Sequence, residues 1–149
     1  MENNDVQTRF HRILVGVDTS DDAQFAFQKA IERAKEDGSD LIITTIIEHV
    51  KDNPDPLLDK DFLHQKHADI ETQVNKYKDQ ALAAGVKNVE TIVAEGDAGE
   101  TIVKKVIPAS KADLLIVGSL DKKGVSKIFG SQAAYMAKYA PISVMVVRP

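Results

Sequence analysis

Three carboxylates stand at the ends of short strand-like segments: Asp18 after Ile13-Leu14-Val15-Gly16-Val17, Glu48 after Leu41 to Ile47, and Glu95 after Val89 to Ala94. Carboxylates gathered in this way can hold Mg²⁺ around a phospho-accepting aspartate, as in a receiver domain. That chemistry also calls for a lysine at the end of the fifth strand, which this chain lacks. Strand-end carboxylates more commonly cap helices and bond loops. A second group is the glycine-punctuated stretch Val117-Gly118-Ser119-Leu120-Asp121-Lys122-Lys123-Gly124, running through Val125 to Phe129 into Gly130-Ser131. Glycines let a ligand approach the backbone, and the amides and hydroxyl at a helix start suit a phosphate. The same residues also serve an ordinary strand-to-helix connection, and spacing alone does not separate the two uses. A third group is His64, His67 and Glu71, at spacings of three and four that put them on or near one helix face. They are candidate metal ligands, but no third ligand is fixed by sequence, and a covered or solvated histidine is the simpler role.

Several chemistries are missing. Gly16 has no partner glycines for a dinucleotide fingerprint, there is no Walker sequence, and no serine sits in a nucleophile elbow. No activated nucleophile or acid and base pair can be assembled from these motifs. The expectation is a binding or regulatory protein, with slow hydrolytic turnover as the alternative that keeps an enzymatic role.

The elements that must position these groups follow from hydrophobic periodicity. Ile13 to Asp18, Leu41 to Glu48, Val89 to Glu95, Asp113 to Gly118 and Ile142 to Arg148 read as strands. Leu41 to Ile47 is apolar almost throughout, as expected where both faces of a parallel sheet are covered. Between strands one and two, Ala23, Ala26, Phe27, Ala30, Ile31 and Ala34 mark one helix face, closed by Gly38. Val50 to Lys60, with Pro54, Pro56 and three aspartates, reads as an exposed loop. Leu63, His67, Ile70, Val74, Tyr77, Ala81 and Ala84 then form the stripe of a long helix ended by Gly85. Gly96 to Gly99 reads as a turn, Glu100 to Ile107 as a short helix stopped by Pro108, and Ala133, Ala134 and Ala137 as part of a final helix before Pro141. The order is βαβαβαβαβ, which implies right-handed crossovers and a doubly wound parallel sheet with helices on both faces.

Composition agrees with such a domain. The chain has 149 residues, 43% apolar and 28% charged, with no cysteine. One domain over 1–149 is expected, with 1–11 flexible. The missing cysteines exclude disulfides, thiolate zinc sites and cysteine nucleophiles, and are compatible with the cytoplasm. A net charge of -4 argues against a nucleic-acid partner. Met1 to Arg12 has neither the basic start nor the apolar core of a signal peptide, and no apolar strip approaches membrane-spanning length, so no targeting or membrane segment is expected.

The chain resembles the universal stress protein family through Ile13-Leu14-Val15-Gly16-Val17-Asp18-Thr19-Ser20, Gly118-Ser119, Gly130-Ser131, and Ala140-Pro141-Ile142-Ser143-Val144-Met145-Val146-Val147. The resemblance spans almost the whole chain. It implies a five-stranded parallel sheet of order 3-2-1-4-5, of the adenine nucleotide alpha hydrolase-like kind. It also implies a cytoplasmic stress-response role and a homodimer paired through the last strand, Ile142 to Arg148. In ATP-binding members the loop reads Gly, two residues, Gly, nine residues, Gly and Ser or Thr. Here Asp121 replaces the second glycine and eight residues separate it from Gly130. By resemblance, Asp18 would hold the adenosine part, Val17 and Ile46 would line the adenine pocket, and Gly118, Gly130, Ser131 and Gln132 would surround ribose and phosphates. Lys122, with Lys123, would offset the charge of Asp121. The cofactor so implied is ATP with Mg²⁺. The other reading keeps the same residues as scaffold in a member that binds no nucleotide and acts through dimerisation and protein partners.

The apolar run Ile142 to Val147 supports the dimer on its own physics. Ile142, Val144 and Val146 alternate with Met145 and Val147, so both faces are apolar, and a bare edge of this kind invites another strand.

Overall fold

In a computed structural model of the chain, residues 9–18, 21–48, 56–119 and 130–149 are described. Strand β1 (Arg12–Gly16) leads to helix α1 (Asp21–Asp37), β2 (Asp40–Ile47), α2 (Pro56–Ala83) and β3 (Val89–Glu95). After β3 come α3 (Ala98–Thr101), a π-helical turn (Ile102–Val106), α4 (Ile107–Ser110), β4 (Leu114–Gly118), α5 (Ser131–Tyr139) and β5 (Ser143–Val147). The five strands are parallel, in the order β3-β2-β1-β4-β5. This is the expected doubly wound order.

The period of two along each strand divides the core into two clusters. Ile13, Val15, Leu41, Ile43 and Ile116 pack with Ala26, Phe27 and Ala30 of α1 and Val74, Tyr77 and Ala81 of α2. Leu14, Ile42 and Leu115 pack on the other face with Ile102, Val106, Ile107 and Met136. Each fully buried Ile, Leu or Val is worth about 1.5–3 kcal/mol, which is why the central strands carry almost nothing else. Val146 is only half-buried because β5 is an edge strand. Its expected alternation holds: Met145 and Val147 lie against the first cluster, and Ile142, Val144 and Val146 against the second.

Three local expectations are corrected. Residues 56–60, read as loop, are helical: Pro56 starts α2, a position where its fixed φ and missing N–H cost nothing. The rest of that expected loop, residues 50–55, lies outside the described residues, as do Thr19 and Ser20. Ala84, assigned to the buried stripe, is exposed beyond the end of α2. The helix after β3 begins at Ala98 and continues through Pro108 to Ser110. The π turn just before Pro108 widens the backbone where the ring would otherwise crowd the carbonyl four residues back, so the proline does not end the helix. Gly38 closes α1 as expected, at φ +68°, with the Ser39 N–H donating to Ala34 O at 2.9 Å.

Charged groups tie the amino ends of the strands together. Arg12 donates from Nε to Ser110 O (2.8 Å), from Nη1 to Asp40 Oδ2 (2.8 Å) and from Nη2 to Glu90 Oε2 (2.9 Å). The Asp113 carboxylate accepts the backbone N–H of His11 at 2.9 Å and of Arg12 at 2.9 Å. Asp37, only 5% exposed, accepts from the Phe10 N–H at 3.0 Å and from Arg33 Nη2 at 2.9 Å. Residues 10–12 are thus anchored at three points. Among the described residues no helix is long and apolar enough to cross a membrane.

Candidate functional site at the carboxyl ends of β1 and β4

The chain leaves β1 towards β2 and β3 on one side and returns to β4 and β5 on the other, so the strand order reverses between β1 and β4. In open parallel sheets the crevice beyond that reversal is where ligands bind. The register pairs Val15 with Ile116, which places Val17 and Asp18 beside Gly118 and Ser119 at the crevice.

Val17 is held at both backbone groups by β2. Its N–H donates to Thr44 O at 2.9 Å, and its carbonyl accepts from the buried Thr45 Oγ1 at 3.0 Å. The side chains of Val17 and Ile46, expected to share one pocket, are buried in different clusters, Val17 with the α1 and α2 residues and Ile46 with the π-turn residues. Asp18 is half-buried, and its carbonyl accepts from Tyr77 Oη at 3.2 Å. Tyr77 in turn accepts from Gln24 Nε2 and packs edge-on to Phe27, with ring centroids 4.7 Å apart. Burial, and after it the nearby charge of Asp18, pushes the Tyr77 phenol above its usual pKa.

On the other side, Gly118 ends β4, and the Ser119 N–H continues the ladder to Val147 O at 3.0 Å. The Gly130 N–H donates to Ser119 O at 2.8 Å, so Gly130 and Ser119 meet at the exit of β4. Lys122, with Asp121 and Lys123, falls within 120–129, outside the described residues. Gly130 is extended and stands directly before α5, with its carbonyl accepting the Ala134 N–H at 3.0 Å. Ser131 is the exposed first residue of the helix. The first turn of a helix presents N–H groups without intrahelical partners, and its dipole favours an anion.

Gln132 is placed in an unforeseen way. Its Oε1 accepts the Gly99 N–H of α3 at 2.6 Å, and its Nε2 lies 3.3 Å from Asp97 Oδ1. The sequence marked Gly96 to Gly99 as a turn, but nothing in its spacing tied that turn to Gln132. Nor did helix periodicity, which put Tyr77 on the core stripe, show that its hydroxyl supports Asp18.

The other candidates are not gathered here. Glu48 is exposed, and Glu95 Oε1 lies 3.6 Å from His67 Nε2. Glu71 Oε1 lies 3.6 Å from the other ring nitrogen of His67, while His64 is exposed. His67, Glu71, Val74, Asn75, Thr91 and Val93 line a cleft between α2 and β3. Among the described residues no three His, Asp or Glu side chains are arranged to hold a metal ion.

Comparison with known proteins gives one consistent result. The profile of the universal stress protein family matches residues 9–148. A Staphylococcus aureus (strain USA300) protein bearing the universal stress protein name is 33% identical over 140 residues, covering 93% of this chain and 84% of its own length. Among solved structures, the universal stress protein UspA from Lactobacillus plantarum superposes with a TM-score of 0.84 at 25% identity, covering 95% of this chain and 100% of its own. A universal stress protein solved in complex with cAMP superposes with a TM-score of 0.70 at 26% identity, covering 94% of this chain and 98% of its own.

Proposed function

The chain belongs to the universal stress protein family, and from that premise we propose that it is a cytoplasmic stress-response regulator that binds an adenine nucleotide beyond β1 and β4. The observation that carries this reading is the docking of Gly130 on Ser119 O, which sets the start of α5 against the β4 exit. Gly130 offers no side chain to obstruct a phosphate, Ser131 adds an exposed hydroxyl, and the helix start supplies amides. A universal stress protein of similar fold has been solved in complex with cAMP, an adenine nucleotide, which supports this reading.

In this reading Asp18 meets the adenosine part, Ile46 borders the apolar wall on the face that α5 covers while Val17 contributes its backbone, and Gly118, Gly130, Ser131 and the Gln132 backbone face ribose and phosphates. Lys122 offsets Asp121, and Mg²⁺ accompanies ATP. No residue is assigned a covalent or general-base step, so the function is binding and signalling, with ATP hydrolysis at most slow. β5 pairs with the same strand of a second copy, covering an edge that is apolar on both faces.

The variant loop favours a second reading. Asp121 adds charge and bulk where ATP-binding relatives carry glycine, and the loop is one residue shorter. A member so altered would act through its dimer and protein partners alone. Calorimetric titration with ATP and Mg²⁺ decides between the two: saturable heat in the parent, abolished by Gly130→Asp, supports the site. No heat at high micromolar nucleotide removes it. Sedimentation equilibrium at micromolar concentration tests the dimer, which a mass near 16.3 kDa would exclude.

A further inference from the structure

The short helix α3 lacks a cap from its own chain neighbourhood. Asp97 occupies the N-cap position with extended backbone, yet its side chain makes no capping bond to α3. An uncapped helix start leaves N–H groups that need acceptors. The Gly99 N–H finds its acceptor in Gln132 Oε1, a side chain of α5, and the Gln132 amide nitrogen faces the Asp97 carboxylate. One side chain of α5 thus bonds both a backbone N–H in the first turn of α3 and the carboxylate at its N-cap, which joins the two helices.

The fit requires glycine at 99. A Cβ there would lie 2.7 Å from Gln132 Oε1, 3.3 Å from Gln132 O and 3.3 Å from Tyr135 Cδ1. The close approach therefore belongs to both partners, and neither residue type is incidental. The start of α5 is held from two sides: the Gly130 N–H on Ser119 O fixes it to β4, and Gln132 fixes it to the turn after β3. With either tie missing, the α5 start would keep only one of these two anchors.

We propose that Gln132 is a positioning residue, whose side chain caps α3 from α5 and holds the α5 start where its amides meet the nucleotide phosphates. The inference rests on the adenine nucleotide reading above. A binding-competent arrangement that is only fractionally populated lowers apparent affinity by that fraction. Loss of the clip is thus expected to weaken nucleotide binding although the Gln132 side chain itself need not touch the ligand.

The test uses the intact chain and Mg²⁺-ATP titration calorimetry. Gln132→Met keeps the side-chain length and removes both bonds. It is expected to weaken ATP binding about tenfold, whereas Asp113→Ala, which destabilises the opposite end of the sheet, leaves affinity unchanged. ATP binding in the parent with equal affinity in Gln132→Met overturns the proposal and leaves the nucleotide reading standing. An equal loss in Asp113→Ala overturns it too, since general destabilisation would then account for the effect. No binding by the parent overturns the nucleotide reading and this inference with it. The clip has a ligand-free readout in urea unfolding of Gly99→Ala, whose cost is expected to shrink in a Gln132→Ala background, where the 2.7 Å contact is absent. The same cost in both backgrounds overturns the clip whatever the nucleotide does.

Discussion

Arg12 and Gln132 do comparable work at opposite ends of the sheet. Arg12 gathers the Ser110 carbonyl, Asp40 and Glu90 at the amino end, and Asp113 and Asp37 hold the incoming backbone beside it. There, charges satisfy charges and backbone. At the carboxyl end the holders are neutral: Thr45 on the Val17 carbonyl, Tyr77 on the Asp18 carbonyl, and Gln132 on the Gly99 N–H. Neutral groups fix the backbone without adding a full charge to the field that an anionic ligand would meet, and field strength in such crevices governs binding. The amino end is built for stability, and the carboxyl end for shape.

The largest test of this contrast is Gly96→Ala. Gly96 has φ +139°, where side chains are strained, and a Cβ there would overlap Thr101 Oγ1. The expected cost is about 3 kcal/mol in urea unfolding, with nucleotide binding weakened as well. A companion Thr101→Ala should recover the steric share, because the Thr101 Cβ would be 3.7 Å away. A cost that does not change with that companion would break the account. At the amino end, Asp113→Ala leaves the His11 and Arg12 N–H groups without their carboxylate, and about 2 kcal/mol of stability is expected to go. Nucleotide affinity should stay put, and a loss would erase the distinction between the two ends.

Much of the fold was legible because apolar periodicity reports burial. The alternation in Ile142 to Val147 and the stripe through Ile70, Val74, Tyr77 and Ala81 appear in the structure as read. What the pattern could not give were contacts made by polar side chains across long sequence separations. Asp113 and Arg12, or Gln132 and Gly99, carry no periodic signal, because a single hydrogen bond constrains neither residue's neighbours. Pro56 and Pro108 misled for a related reason: proline marks a boundary only when the backbone before it cannot adapt, and here one starts a helix while the other follows a π turn. The candidate site was legible only as a place in the fold, since Asp18, Gly118 and Gly130 lie next to the sheet reversal. It was illegible in the Gln132 side chain, which reaches into a neighbouring turn.

Asp37 sharpens the contrast through pH. The hydrogen bond from Arg33, and after it that from the Phe10 N–H, hold its carboxyl below the ordinary 3.8. A depressed carboxylate contributes stability that is complete above its ordinary pKa and lost as pH falls through the folded value. Acid unfolding of the parent should therefore show a drop below about pH 4 that Asp37→Asn flattens. The same substitution is expected to cost about 1.5 kcal/mol at neutral pH. An unchanged acid limb would mean that this anchor does not hold residues 10–12.

The smallest expected effect concerns Tyr77, where the carboxyl end has a titratable group among its neutral holders. Its bond to the Asp18 carbonyl is long at 3.2 Å, so losing the hydroxyl in Tyr77→Phe is expected to cost only about 0.5 kcal/mol at neutral pH. The alkaline limb is more telling. Burial, and then the charge of Asp18, raises the phenol above the ordinary 10.0, so the folded state keeps a proton that the unfolded state has released. By linkage that contribution is complete below pH 10 and is lost as pH rises through the folded value. Parent stability should fall more steeply above pH 10 than that of Tyr77→Phe, in urea titrations at fixed ionic strength. Parallel alkaline limbs would show that the phenol ionises as freely in the folded chain as in the unfolded one. Tyr77 would then be a packing residue, and Asp18 would be supported by its other contacts, the Val17 backbone with its Thr44 and Thr45 partners among them.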